Sequence, residues 1–304
     1  MARGKRRTVR IMKVVRTDTD SGSVVAEESS DFWPTVLDAL SSREPDPYFD
    51  WEHNGHDYRG RVKRALEPIL YLAKQRNADD APSQWEGDDA VPLSTPIHEP
   101  LFVLPIPATP AVAVMGTSGA ATPVAVGRWL TGYLTSAVKG ESIELHPVIR
   151  RDQAETLERA ITATSLELSV DAAEYEARSS GRVERGLALA AEANEGRGRA
   201  TISLSMGQGR HSDGSGEFLE AARGLFTDPA LKRGKVRAIV PHGERGLRGE
   251  MLDLVSHRFT YKKITGDSTT SLSVATAYPA LSDAVSDFKK TREYELLRQR
   301  SDVD

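Results

Sequence analysis

The sequence contains no cysteine among its 304 residues. Disulfides, thiolate zinc sites, iron–sulfur clusters and cysteine nucleophiles are therefore excluded. Long apolar runs are also lacking, because Pro105, Pro107 and Pro110 interrupt the most apolar stretch, residues 100–115. A membrane-spanning helix needs about 20 consecutive apolar residues, and no apolar segment follows the basic N-terminus. We therefore expect a soluble, cytoplasmic protein without direct membrane insertion.

Motifs for nucleotide binding are missing or incomplete. No G-x-x-x-x-G-K-[ST] pattern occurs, which excludes a P-loop NTPase. Gly207-Gln208-Gly209 follows a predicted strand and matches the first two glycines of the dinucleotide-binding pattern G-x-G-x-x-G. The third glycine position of that pattern is occupied by Ser212. A loop connecting a strand to a helix accounts better for this segment than a phosphate-binding turn does.

Metal and nucleophile motifs are equally incomplete. Ser118 lies near glycines but does not form G-x-S-x-G, and His53 and His56 have a spacing that suits turn residues better than metal ligands. We therefore predict no catalytic residue, no metal and no cofactor. The enzymatic alternative is a nucleic-acid- or nucleotide-acting enzyme that uses the 207–216 loop, and it predicts metal- or nucleotide-dependent turnover.

The periodicity of apolar residues predicts strands and helices without strict βαβ alternation, and hence an α+β fold with mixed sheets. Asn54-Gly55 between two alternating runs predicts a hairpin, and Thr122-Pro123 is typical of the start of a helix. The main predicted elements are a strand at 8–16, a helix at 32–40, the hairpin at 48–64, strands at 101–106 and 111–115, a helix to 134, strands at 200–206 and 236–240, and a long charged helix at 280–300.

The order of these elements suggests two domains that can move relative to each other. We expect residues 1–142 together with 266–304 to form the main globular domain, which includes the long C-terminal helix. Residues 143–265 would form a second, smaller, mobile domain.

The distribution of charge is more informative than the net charge of −4. Residues 1–16 carry seven basic side chains and no acid, residues 18–57 carry eleven acids and one base, and residues 232–263 carry nine bases and three acids. Solvated charged faces would explain such segregation, and so would a surface that attracts phosphate.

The basic segment after residue 231 is the candidate nucleic-acid site. Two-residue periodicity places Lys235 and Arg237 on one face of a strand, and interleaved glycines permit close approach of a phosphate backbone. Aromatic residues are few there, so we expect contact with a duplex rather than stacking on single strands. The candidate DNA-binding residues, which include two from a basic N-terminal arm, are Lys232, Arg233, Lys235, Arg237, Arg245, Arg248, Arg6 and Arg7.

Residues 100–150 resemble the RexA-type phage-exclusion proteins. The shared pattern consists of two apolar strands, a loop that contains Gly116-Thr117 and leads to Thr122-Pro123, a helix, and a strand with Ile143, Pro147 and Arg150. The segment KVRAIV, with Arg237 before an alanine, resembles the basic strand of that family. The resemblance extends over most of the chain in the order of elements.

This resemblance implies a homodimer that binds double-stranded DNA with little sequence preference. It also implies a role as the intracellular sensor of prophage-mediated phage exclusion, a form of abortive infection and superinfection immunity, with a RexB-like membrane protein as functional partner. The sequence leaves a third possibility, a structural phage protein whose basic segments serve assembly.

Overall fold

The computed structural model describes residues 5–44, 46, 48–53, 55–76, 83–86, 89–92, 97–134, 140–175, 181–195, 197–206, 215–242, 246–266 and 272–301. Within these residues the fold is α+β, as predicted, with seven helices, one sheet of nine strands, one of four strands and a separate strand pair. None of the described helices combines the length and the apolar character that a membrane span requires.

The chain divides into two compact units. Unit 1 comprises residues 1–16, 26–145 and 260–304, and unit 2 comprises residues 17–25 and 146–259. The order of predicted elements places residues 260–265 in the second domain. In the structure these residues form a strand that pairs with the first strand of unit 1.

The nine-stranded sheet contains most of the strands of unit 1. Its strands are β1 (Lys5–Asp18), β2 (Val24–Glu27), β3 (Tyr48–His53), β4 (His56–Arg64), β5 (Pro68–Gln75), β8 (His98–Pro105), β9 (Ala111–Gly116), β10 (Glu141–Pro147) and β15 (Thr260–Thr265). Their order is β10-β1-β9-β8-β5-β4-β3, and both β2 and β15 also pair with β1. The strand pair is formed by β6 (Ser83–Glu86) and β7 (Asp89–Pro92).

Helices cover both faces of this sheet, but not along its whole width. On one face, α1 (Phe32–Ser41) and α2 (Pro123–Tyr133) bury Trp33 and Trp129 completely against the sheet. On the other face, α6 (Val274–Phe288) contacts β8, β9 and β15. Each large apolar side chain buried in this way stabilises the fold by about 1.5–3 kcal/mol.

Two local predictions for unit 1 are confirmed. The helix α2 begins at Pro123, and Thr122 is its N-cap, because the Thr122 hydroxyl accepts a hydrogen bond of 3.2 Å from the Ala125 N–H. The hairpin of β3 and β4 is also present, with His53 opposite His56, and Gly55 has a φ of 69°, as the turn requires.

The predicted long C-terminal helix is wrong, because the structure has two helices there. The helix α6 begins earlier, at Val274, and ends at Phe288, and α7 (Arg292–Ser301) follows after a short break. Thr291 makes the break favourable: its hydroxyl donates to the Phe288 carbonyl (2.7 Å) and accepts from the Tyr294 N–H (3.4 Å). A side chain that bonds to neighbouring backbone groups competes with the helical hydrogen bonds.

Unit 2 is built on the four-stranded antiparallel sheet, whose strands in order are β12 (Arg199–Ser205), β11 (Thr162–Asp171), β13 (Leu231–Pro241) and β14 (Leu247–Asp253). Helices pack on one face of this sheet, where Leu166, Leu168 and Val236 form a core with Leu187 and Leu225. No described helix of unit 2 packs on the other face. The described helices of unit 2 are α3 (Arg151–Arg159), α4 (Arg182–Ala193) and α5 (Ser215–Phe226).

Candidate nucleic-acid interface

The uncovered face of the four-stranded sheet, which we call the open face, is set by the alternation of side chains along β13. Val236, Ala238 and Val240 point into the helix-covered core and are almost fully buried. The residues between them point the other way, because successive side chains of a strand lie on opposite faces. The open face therefore carries Arg233, Lys235, Arg237 and Ile239 of β13.

Arg237 is a cation of this row that has no charged residue opposite it. It lies opposite Ser165 of β11 and Met251 of β14, and neither neighbour is charged. Its side chain extends over Gly249, since a Cβ at that position would lie 3.7 Å from the Arg237 Nε atom. Arg237 is exposed, and within the described part of the chain it forms no salt bridge. Its charge is therefore available to an external anion.

The other two cations of the row lie beside acids. The Arg233 Nε atom forms an ion pair of 3.2 Å with Glu167, and both side chains are partly exposed. Lys235 lies directly between Glu167 and Asp253 on the neighbouring strands. Exposed pairs of this kind contribute about 0–1 kcal/mol, so a phosphate can compete for these cations.

Hydroxyl groups fill the other half of the open face, and sequence reasoning missed them. Thr201, Ser203 and Ser205 of β12 are exposed, and they lie opposite Ser169, Glu167 and Ser165 of β11. The Thr201 hydroxyl donates to the Ser169 hydroxyl over 3.0 Å. Hydroxyl groups are common donors to DNA phosphates. The signal was present in the sequence, since ATISLSM alternates hydroxyl and apolar residues.

Two of the predicted residues in this segment do not belong to the open face. Lys232 is half-buried and forms ion pairs with Asp171 (3.4 Å) and Glu174 (3.8 Å). Arg248 is exposed but lies opposite Val240, so it points to the helix-covered face. Arg245 lies outside the described residues. The expected convergence of these cations on one surface is therefore limited to Arg233, Lys235 and Arg237.

Arg6 and Arg7 belong to unit 1, in β1 rather than in a basic arm. They lie opposite Ile264 and Lys263 of β15, so their side chains point to opposite faces of the sheet. Arg6 is exposed, whereas Arg7 is half-buried and donates from its Nη1 atom to the Gly116 carbonyl over 3.4 Å. The reason for the difference from the prediction is that a long-range partner, β15, orders the N-terminal segment.

Arg7 also takes part in a buried electrostatic cluster around Glu99. Burial alone would raise the pKa of the Glu99 carboxyl, but hydrogen bonds from Thr117 and Arg76 and the charges of Arg76 and Arg7 hold this pKa below its ordinary value. The Arg76 Nε atom donates to the Glu99 Oε1 atom over 2.8 Å. Arg7 thus has a structural role in unit 1.

A second group of cations, which sequence reasoning did not single out, lies on β4. Arg59, Arg61 and Lys63 share one face of the strand by alternation, and tyrosines of the neighbouring strands lie beside them. Tyr48 is opposite Arg61 on one side, and Tyr71 is opposite Arg61 on the other. The motif RGRVKR shows this row in the sequence, but only the strand register brings the tyrosines to it.

The segments considered for other chemistry give no constellation within the described residues. Residues 207–214 lie outside the described chain, and Ser215 and Gly216 begin α5. The His53 ring stacks on Trp51, with ring centroids 4.8 Å apart, and also contacts Arg128. No group of three or more histidine, aspartate or glutamate residues suited to a metal ion occurs in the described ranges.

No protein-family model and no curated protein sequence matches the chain. The resemblance to RexA-type proteins therefore stays a prediction from the sequence. Any functional conclusion depends on the geometry described above.

Proposed function

We propose that this protein binds double-stranded DNA, with little sequence preference, through the open face of its four-stranded sheet. Arg237 is the central phosphate contact in this proposal, with Arg233 and Lys235 along the same strand. The observation that carries the proposal is the exposed Arg237, with no acid directly opposite it, on a sheet face that no described helix of unit 2 covers.

The chemistry of the open face suits a phosphate backbone better than base edges. Cations on β13 and hydroxyls on β12 are the groups that proteins use for sequence-independent contacts. A flat sheet without a protruding helix does not read a major groove in the manner of a recognition helix. We therefore expect similar affinity for unrelated duplexes, in the range of about 10⁻⁴–10⁻⁶ M at physiological salt.

The number of cations sets the salt dependence. Three phosphate contacts at about 0.9 each predict a slope near −2.7 when the logarithm of the association constant is plotted against that of the salt concentration. Fluorescence anisotropy on two unrelated duplexes over a range of salt concentrations measures this slope. A flat salt response would contradict the proposal.

Charge reversal on the two faces of the sheet tests the location of the interface. Arg237→Glu should weaken binding to all duplexes alike, by about tenfold or more, because an attractive contact becomes a repulsive one. Arg248→Glu makes the same change in charge on the opposite face and should leave binding within about twofold. Equal losses in both variants would mean that net charge, rather than the open face, decides binding.

The biological setting that we propose comes from the resemblance in sequence. The protein would act in the cytoplasm as a homodimeric, non-enzymatic sensor of phage infection, encoded by a prophage and coupled to a RexB-like membrane protein. Phage plating on cells that carry the chain with its neighbouring membrane protein tests this setting. Exclusion should depend on Arg237, and its persistence with Arg237→Glu would separate exclusion from DNA binding.

A further inference from the structure

The outer face of β4 in unit 1 presents Arg59, Arg61 and Lys63 in a line, which we call the β4 row. The opposite face of the same strand is buried: Tyr58 is 6% exposed, and Gly60 lies against the indole of Trp129. The side chains of the row therefore point away from α2. Tyr71 on β5 packs against the buried Phe102, with ring centroids 5.3 Å apart, which fixes the ring beside the row.

The three cations of the row differ in their partners. Arg59 forms two hydrogen bonds of 2.7 Å with the Asp50 carboxylate and lies over the Tyr48 ring, 4.3 Å from its centroid. Arg59 is thus neutralised within the protein. Arg61 and Lys63 form no salt bridge within the described residues, and both lie over the Tyr71 ring.

The pair of Arg61 and Lys63 is electrostatically unfavourable in the protein alone. The distances from the Tyr71 ring centroid are 5.5 Å to the Arg61 guanidinium and 5.7 Å to the Lys63 ammonium. Burial lowers the pKa of Lys63, and the neighbouring charge of Arg61 lowers it further. Like charges placed together on one sheet face destabilise it, and an anion bound between them relieves the repulsion.

Acids limit the length of this positive surface. Asp50, Glu52 and Asp57 lie on the same face toward the hairpin turn, and all three are exposed. Asp46 is a further acid whose charge acts on Arg59. Within the described strands no acid is paired with Arg61 or Lys63, and two strand residues span about 6.6–6.8 Å. A duplex requires cations distributed over a wider surface, whereas one or two nucleotides of a single strand fit this space.

The tyrosines distinguish a nucleic acid from other anions. Tyr48 and Tyr71 are half-buried and flank Arg61 in the register of the sheet. Bases of single strands stack on aromatic rings and on the guanidinium plane of arginine, and positive side chains follow their phosphates. We propose that the β4 row is a contact site for single-stranded nucleic acid, with a phosphate against Arg61 and Lys63 and a base against Tyr71. This proposal is independent of the duplex interface in unit 2.

The test uses the full-length chain and fluorescein-labelled dodecathymidylate. The double variant Arg61→Gln, Lys63→Gln should bind this oligonucleotide about tenfold or more weakly, because two charge-assisted contacts are lost. The magnitude of the log–log salt slope should fall by about 0.7 for each contact, hence by about 1.4. Arg64→Gln is the matched control, because Arg64 is exposed on the opposite face of the same strand.

Further variants and competitors keep the proposal open to refutation. Tyr71→Leu should weaken binding by at least about fivefold through lost stacking, whereas Tyr71→Phe should keep it. The proposal is overturned by unchanged affinity in the double variant or by an equal loss in Arg64→Gln. Inorganic pyrophosphate should not displace the oligonucleotide at a concentration similar to that of the oligonucleotide itself. Such displacement would also overturn the proposal, because the site would then recognise a small phosphate compound. Arg237→Glu should leave this binding unchanged, which separates the present proposal from the duplex interface.

Discussion

The open face of unit 2 and the β4 row of unit 1 are both cation-bearing sheet surfaces, but they differ in what lies between the cations. On the open face, hydroxyls of β11 lie next to Arg233 and Arg237, those of β12 lie one strand further away, and no aromatic ring occurs on the described strands of that sheet. On β4, Tyr48 and Tyr71 flank Arg61 and Lys63. The first surface offers only polar contacts, whereas the second combines charge with stacking.

Under the two proposals, this difference would suit two sheet surfaces of similar charge to different polyanions. Phosphates of a duplex lie outside the stacked bases, so hydroxyls and cations are sufficient to bind them. Unpaired bases expose their flat faces and gain about 1–3 kcal/mol each on an aromatic side chain. The comparison therefore predicts selectivity for duplex on the open face and for single strands on the β4 row.

The largest effect is expected from Gly60→Ala, which disturbs the support of the β4 row. A Cβ at this position overlaps the buried Trp129 ring, so the substitution should destabilise unit 1 by about 3 kcal/mol or more. Gly216→Ala is the control, because nothing lies within 4 Å of a Cβ there and the change should stay within about 0.5 kcal/mol. Urea unfolding measures both values, and equal stabilities of the two variants would contradict the packing argument.

A smaller loss is expected from Glu99→Gln, which removes the buried ionic cluster of unit 1. At neutral pH the substitution should cost about 1.5–3 kcal/mol, since a buried carboxylate loses charge-assisted hydrogen bonds. Because the folded-state pKa of Glu99 is lowered, its contribution is present above the ordinary pKa of 4.5 and is lost as the pH falls through the folded-state value.

The difference in stability between wild type and Glu99→Gln should therefore be constant near neutral pH and shrink as the pH falls below the ordinary pKa of 4.5. Thermal unfolding at a series of pH values measures it. The exposed pair of Arg233 and Glu167 in unit 2 gives the contrast, because its removal should change stability by no more than about 1 kcal/mol at any pH. A difference in stability between wild type and Glu99→Gln that increases at acidic pH would show that Glu99 is not held as a carboxylate.

The selectivity of the two surfaces is tested by exchanging their ligands. Arg237→Glu should reduce duplex binding by about tenfold and leave dodecathymidylate binding within about twofold. The double variant Arg61→Gln, Lys63→Gln should reduce dodecathymidylate binding and leave duplex binding nearly unchanged, because it removes the cations of the proposed single-strand site. Anisotropy titrations of both variants with both ligands give the four values. Equal losses of affinity in all four titrations would mean that both ligands respond to the overall charge of the protein rather than to separate surfaces.

The smallest effect is a gain expected from Glu167→Gln. This substitution releases Arg233 from its ion pair and removes the acid beside Lys235, so duplex affinity should rise about two- to threefold. Glu192→Gln is the control, since Glu192 is an exposed acid of α4. The salt dependence should steepen only for Glu167→Gln. An equal gain in both variants would indicate an effect of net charge alone.

Local sequence patterns predicted much of the fold. The Asn-Gly turn predicted the β3–β4 hairpin, and Thr122-Pro123 predicted the start of α2, because both signals depend on neighbouring residues. The break between α6 and α7 was missed, since the charged sequence around Lys289 has no glycine or proline to mark it. The strand character of Arg6 and Arg7 was also missed, because their partner strand lies far along the chain.

For the candidate sites, the sequence alone determined that Lys235 and Arg237 share a face, and likewise Arg61 and Lys63, because alternation is a property of each strand by itself. Only the tertiary structure decided which cations are neutralised and which meet a tyrosine. Glu167 reaches Arg233, and Tyr71 reaches Arg61, through the register of neighbouring strands. That register is fixed by the packing of whole sheets against their helices, which no local pattern contains.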